Sequence, residues 1–175
     1  MLTTSGIETV DREMLGIATV LVRKGKRAEL IARVRERFGV ELPAGPQRAV
    51  AASARTDIAF AGIAPGGWLA MCEDGGAEFA ASLAEALDGV ASVSDQSDGL
   101  YVVRVSGANV RDVLCKLVPV DLHPREFAVG QVAVTLAAHM PVTMWRLADS
   151  AAGAAVFEIA TFRSFAESFR HALSC

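Results

Sequence analysis

Residues that carry chemistry are scarce in this chain of 175 residues, which has three cysteines, three histidines, one tyrosine and two tryptophans. Cys72, Cys115 and Cys175 are an odd number with no CxxC spacing, as expected of free thiols in a reducing compartment. Cys72 falls in an apolar strand and Cys115 on a helix, so both are expected to be buried as small hydrophobes. His123, His139 and His171 are scattered, and among Cys, Asp and Glu only Asp121 stands close to one of them, so no zinc or catalytic cluster is expected. The sequence has no GxGxxG after a strand, no GxxxxGKS/T, no GxSxG and no HExxH. Gly62 to Gly67 contains Pro65 and leads into a strand, which marks a hairpin; a phosphate cradle needs a helix N-terminus next. The expected catalytic, cofactor-binding and metal-binding residues of this chain are therefore none.

Long apolar runs are absent as well. None approaches the roughly 20 residues that span a bilayer, and no basic region with an apolar signal core opens the chain, so the expectation is a cytoplasmic protein without a membrane partner. The formal charge of −3 and a sequence pI near 5.6 give no overall bias toward nucleic acid. One local exception is Arg23, Lys24, Lys26, Arg27, Arg33, Arg35 and Arg37. Leu30, Ile31, Val34 and Phe38 form a buried stripe among them, and Glu29 and Glu36 intersperse the charge, so a solvated helix face is expected, with docking on an acidic partner as the alternative. No aromatic residues interleave to stack on bases.

What is present is a 52% hydrophobic composition, enough for a real core, and a repeated grammar. Gly16 to Arg23 reads as a strand, the helix with Leu30, Ile31, Val34 and Phe38 follows, and Val40-Glu41-Leu42-Pro43 closes the unit. Leu100 to Val105 alternates as a strand with Tyr101, Val103 and Val105 on one face. A helix follows with Val110, Val113, Leu114 and Leu117, ended by Pro119, and then Val120-Asp121-Leu122-His123-Pro124. Ser106 is the expected cap of that helix, and Asp98-Gly99 the expected tight hairpin before the strand. Each unit continues into a hairpin and a helix. Ile58 to Ile63 and Trp68 to Cys72 precede Phe79, Leu83 and Leu87; Val142 to Leu147 and Ala155 to Ala160 precede Phe165, Phe169 and Leu173. The second unit has an extra strand from Gln131 to Ala138, with Ala49 to Ser53 as its weaker counterpart. Leu122 to Phe127 is expected to form one helical turn capped by Asp121. Met1 to Arg12 carries no element pattern and is expected to be disordered or to order only on assembly.

Two strand-helix-strand-strand-helix units predict an α+β protein, with four amphipathic helices on mainly antiparallel sheets. It is expected as one compact domain, residues 1–175, of two pseudo-repeats at about 15–90 and 91–175.

Four pieces, SDQS (Ser94 to Ser97), VDLHP (Val120 to Pro124), WRL (Trp145 to Leu147) and FRSFAESF (Phe162 to Phe169), occur in an order that resembles the gamma subunit of heterotetrameric sarcosine oxidases. The resemblance covers about Val93 to Leu173, and the duplicated pattern looks like the aminomethyltransferase (glycine-cleavage T-protein) fold. It implies a noncatalytic subunit, with alpha, beta and delta subunits as partners and FAD, FMN, NAD and zinc held on those partners. The implied assembly oxidises sarcosine to glycine, forms hydrogen peroxide and passes the one-carbon unit to tetrahydrofolate. The alternative is a free-standing folate-binding or aminomethyltransferase-like protein; self-association of the isolated chain is a further option. Under the folate reading, Asp95 beside Gln96 and Ser97 holds a pterin; under the simpler one, Asp95 and Ser97 satisfy turn amides. His123 is expected as a surface or subunit-contact residue, and Trp68 and Trp145 as core or interface anchors.

Overall fold

The structure is a computed structural model and describes residues 2–4, 6–51 and 57–174. Two compact units divide the chain, Met14–Gly99 and a second made of Met1–Glu13 with Leu100–Cys175. Elements run β1 (Leu2–Thr4), β2 (Ile7–Asp11), β3 (Gly16–Val22), α1 (Arg27–Phe38), β4 (Arg48–Val50), β5 (Ile58–Ala64), β6 (Gly67–Cys72), α2 (Phe79–Ala86), β7 (Ala91–Asp95), β8 (Leu100–Ser106), α3 (Val110–Leu114), β9 (Val132–Ala137), β10 (Met140–Leu147), β11 (Val156–Phe162) and α4 (Ala166–Ser174). No helix of the described residues is long and apolar enough to cross a membrane.

The unit Met14–Gly99 holds a five-stranded sheet in the order β4-β5-β6-β3-β7. Its strands pair antiparallel. Ala18, Val20, Phe60, Trp68 and Ala70 project from the sheet into one core with Leu30 and Val34 of α1 and Ala80 and Leu83 of α2. Strands β5 and β6 are buried on both faces over most of their length, which is why they read as apolar runs rather than alternations. The basic face of α1 is solvated as expected. Lys26 and Arg33 both bond Glu29, Arg33 also donates to the Asp88 carbonyl at 2.6 Å, and Arg35 pairs with Glu41.

The other unit repeats the plan as a six-stranded antiparallel sheet, β1-β2-β8-β11-β10-β9. Tyr101, Val103 and Val105 meet Val110 and Leu114 of α3 and Phe169 and Leu173 of α4. The alternation expected for this strand holds. So does the stripe of α3, although that helix has a single regular turn; Leu117 and Val118 continue it through bonds to the Leu114 carbonyl.

Laid over each other, the orders 4-5-6-3-7 and 9-10-11-8-2 are the same except that the fifth strand is exchanged. Strand β7 opens the second repeat yet pairs with β3 of the first, Ala18 opposite Asp95 through Val22 opposite Ala91. Strand β2 precedes the first repeat yet pairs with β8 of the second, Glu8 opposite Ser106 through Asp11 opposite Val103. This corrects two expectations. Met1 to Arg12 is not unpatterned, since Leu2–Thr4 and Ile7–Asp11 are strands and Ile7 is buried in the core. Asp98-Gly99 is not a hairpin. A turn does form there, with the Gly99 amide bonding the Gln96 carbonyl, but it hands the chain from one sheet to the other because both flanking strands have found different partners.

Two further expectations are corrected. Ser106 does not cap α3, because β8 runs through it, opposite Glu8 and Val156; Asn109 occupies the cap position. Between them Gly107 adopts φ +134°, and a Cβ there would stand 2.5 Å from the Gly6 carbonyl, so only glycine fits. Leu122 to Phe127 makes the expected single turn, with the Phe127 amide on the His123 carbonyl at 2.8 Å, and the Asp121 carboxylate accepts from the His123 amide while His123 Nδ1 accepts from Arg125. Strand β9 stops at Ala137. Ala138 and His139 form the turn into β10 with φ of +46° and +69°. Neither residue signals a primed turn, so the sequence concealed it.

Two predictions follow from these elements. Replacing Ala138-His139 by Asn-Gly removes the left-handed strain and raises stability by roughly 1 kcal/mol, read as a higher Tm; an unchanged or lower Tm contradicts the turn. The phenol of Tyr101 donates to Asp11 Oδ1 and accepts from Arg170 Nε at 3.0 Å, and Arg170 also pairs with Asp11. Burial first, then the bond to Asp11, pushes this phenol up to about 12. A raised folded pKa means that the contribution to stability is complete below the unfolded value of about 10 and is lost as pH rises through that of the folded state. Tyr101 is the chain's single tyrosine, so absorbance titration of the phenolate reads it directly; a midpoint near 10 in the folded protein contradicts the arrangement.

Candidate functional site: four polar motifs and one apolar edge

Asp95 and Ser97 come together at the end of β7. The Asp95 Oδ1 accepts the Ser97 amide at 2.9 Å and its hydroxyl at 2.7 Å, and Ser97 Oγ accepts the Ile17 amide of β3 at 3.1 Å. The Gln96 amide bonds the Ile17 carbonyl at 2.8 Å. Those bonds from Ser97, its amide foremost, hold the Asp95 carboxyl below its ordinary range, so its contribution is present above the unfolded pKa and lost as pH falls through the lowered one. The cluster is a clasp that closes the exchanged strand onto β3. One carboxylate oxygen of Asp95 is thereby engaged within the turn.

The same holds in the other unit. His123 and Asp121 are exposed and bond only local amides, while Leu122 between them is buried and its carbonyl receives Arg111 Nε at 3.0 Å. Trp145 is fully buried and donates from Nε1 to Glu158 Oε2 at 2.8 Å. Arg146, also buried, bonds the Val156 carbonyl at 2.9 Å, pairs with Asp149 and lies 5.1 Å from the Phe157 ring centroid. Arg163 donates to the Leu100 carbonyl at 3.0 Å, and Phe169 fills the core. Trp68 is buried with Nε1 on the Pro43 carbonyl at 2.9 Å and Arg27 over its ring. Both tryptophans are core anchors.

Glu158 was not singled out by the sequence. It lies in the apolar strand β11 opposite Arg104 and Trp145, is 3% exposed, its Oε1 receives Arg104 Nε at 3.0 Å and Arg104 Nη2 at 2.7 Å, and Arg12 Nε stands 3.1 Å from the same oxygen as an ion pair. The available signal was an isolated charge in VFEIATF aligned with the one charge of LYVVRVS. With both oxygens occupied and no nucleophile among its partners, Glu158 joins strands rather than moving protons. Glu158→Ala removes the carboxylate that accepts both Arg104 bonds and pairs with Arg12 and lowers stability by roughly 3 kcal/mol, whereas Trp145→Phe removes one donor and lowers it by about 1. Equal losses in chemical denaturation contradict this arrangement.

Among the cysteines, Cys72 is half-buried, and burial and then Asp57 push its thiol up. Cys115 corrects the expectation of burial. It is exposed, because it follows Leu114 and so falls about 100° round from the buried stripe. Cys175 lies outside the described residues. His139 and His171 are exposed in a turn and in α4, far apart in the sequence from each other's motifs. No three His, Cys, Asp or Glu side chains among the described residues gather closely enough to hold a metal.

The remaining feature is apolar. Among the described residues strand β9 is an edge whose strand neighbour is β10, and Val134 and Leu136 are 59% and 48% exposed. Leu136 stands opposite Pro141, and the register of β10 on β11 brings Phe162, 50% exposed, beside that proline on the same face.

Residues 24–174 match the model of the sarcosine oxidase, gamma subunit family. The chain belongs to this family. It is 35% identical over 139 residues to the sarcosine oxidase subunit gamma of Corynebacterium sp. (strain P-1), covering 79% of this chain and 67% of that one. To the subunit gamma of an Arthrobacter sp. it is 34% identical over 113 residues, 64% of this chain and 54% of the relative. The chain thus matches between about half and two thirds of the length of these gamma subunits. In structure it is similar to a chain of the heterotetrameric sarcosine oxidase from Corynebacterium sp. U-96 in complex with pyrrole 2-carboxylate, with a TM-score of 0.80, 25% identity, and coverage of 99% of this chain and 84% of that one. The aminomethyltransferase T of the glycine cleavage system from Bartonella henselae shares the fold, with a TM-score of 0.68, 15% identity, and coverage of 98% and 46%. The expected α+β fold of aminomethyltransferase type and the gamma-subunit family are both found.

Proposed function

We propose that this chain is the noncatalytic gamma subunit of a heterotetrameric sarcosine oxidase. The observation that carries the reading is the family match over residues 24–174, and in each of the four motifs at least one polar group is bound within the chain. SDQS clasps β7 to β3, VDLHP closes a turn over Arg111, WRL anchors Glu158 and the β10–β11 hairpin, and FRSFAESF ties α4 to its sheet. In this reading the assembly oxidises sarcosine with oxygen, yields glycine and hydrogen peroxide, and transfers the one-carbon unit to tetrahydrofolate as the 5,10-methylene form. The alpha, beta and delta subunits are the partners, and FAD, FMN, NAD and zinc reside on them. The whole works in the cytoplasm, and this chain supplies surface and rigidity.

Co-purification from the native source with intact-mass analysis tests the assignment. The expected result is a stoichiometric complex with flavin-bearing chains; a chain that migrates without them overturns it. Calorimetric titration of the isolated chain with tetrahydrofolate separates the free-standing folate reading. No saturable heat sensitive to Asp95→Ala is expected, since Asp95 is occupied by Ser97, and micromolar binding lost in that variant favours the folate reading instead.

A further inference from the structure

We infer that the free edge of β9 is a strand-addition site for an extended segment of a partner subunit, with apolar side chains at alternate positions; this rests on the subunit reading above. The two-residue turn at Ala138-His139 sets which backbone groups are free. Ala137 and Met140 close the turn, so Ala137, Thr135 and Ala133 direct their amides and carbonyls toward β10. Gln131 keeps the same parity, bonding Arg146 across the ladder. The N–H and C=O groups of Val132, Val134 and Leu136 therefore face away from the sheet. Two of these residues are the ones whose apolar side chains are exposed, and Pro141 and Phe162 continue that surface across the next two strands.

Other edges in the described residues are protected. Strands β1 and β4 are three residues long, and β7 presents exposed Ser92, Ser94 and Asp95. By contrast, β9 has six residues without a charge or a proline, none of the devices that keep an edge from pairing. A second copy of this chain is the competing occupant, and area argues against it. Val134, Leu136, Pro141 and Phe162 offer on the order of 300 Å² per copy, against the ~800 Å² per partner of a stable interface. A strand from a partner subunit adds main-chain bonds along β9 and extends the contact with its own body.

The test is hydrogen exchange on the chain alone and on the complex assembled with the alpha, beta and delta subunits. Exchange of the Val132, Val134 and Leu136 amides slows at least about tenfold on assembly if a strand is added. In parallel, Val134→Lys with Leu136→Lys weakens assembly by at least about tenfold with circular dichroism and Tm unchanged, and Leu21→Lys, at a half-exposed apolar position in the other unit, leaves assembly intact. A complex that forms while these amides exchange as in the free chain overturns the inference and leaves the subunit reading standing. So does a lysine pair that only converts a dimer of the isolated chain to monomer, which assigns the edge to a second copy. Failure of the wild-type chain to join any of the partners overturns both readings, and the exchange measurement needs no variant to fold.

Discussion

The antiparallel pairing of β2 with β8 and of β3 with β7 is the constraint on which the rest of the structure depends. Each pairing completes a sheet with a strand from outside its own repeat. The ends of the exchanged strands carry the strongest polar clasps in the molecule. Asp95 and Ser97 fasten β7 at the Ile17 backbone; Asp11 fastens β2 through Tyr101 and Arg170, and Arg12 reaches Glu158 just beyond it. An exchanged strand has few local contacts to hold its register, so side-chain bonds at its end fix which residue meets which.

This accounts for what the shared motifs are. Polar residues grouped in an otherwise apolar chain invite reading as a site, and Asp95 beside Gln96 and Ser97 carried that alternative. Their bonds, like those of Asp121 and His123, run to backbone amides one or two residues away or across a ladder. In each of Asp95 and Asp121 one carboxylate oxygen is engaged by the local turn. In this chain the motif residues hold the scaffold, and the exposed apolar surface at the β9 edge is built from valine, leucine, proline and phenylalanine.

Much of this was legible in the sequence. Period-two alternation placed Tyr101, Val103 and Val105 in the core, and four-residue steps placed Leu30 and Val34, Phe79 and Leu83, and Phe169 and Leu173 on their helices. The hairpin at Pro65-Gly66 was announced by its turn residues. The turn at Ala138-His139 was not, since its positive φ values are imposed by the strands on either side rather than favoured by alanine or histidine. Glu158 was hidden for a related reason. One glutamate in an apolar strand acquires meaning only when the register sets Arg104 and Trp145 beside it.

By itself the sequence determined the fold class, the duplication and the order of elements, because those follow from local periodicity and turn chemistry repeated along the chain. Its ordered motifs also carried the family resemblance. Strand partners were decided only in the tertiary structure. Asp98-Gly99 reads as a hairpin within any window of residues, and the first twelve residues read as unpatterned, since the pairing that makes β7 and β2 into sheet strands joins residues about 75 and 95 positions apart, a separation no local signal spans. That same long-range pairing turned the presumed site into a clasp and left β9 as the open edge.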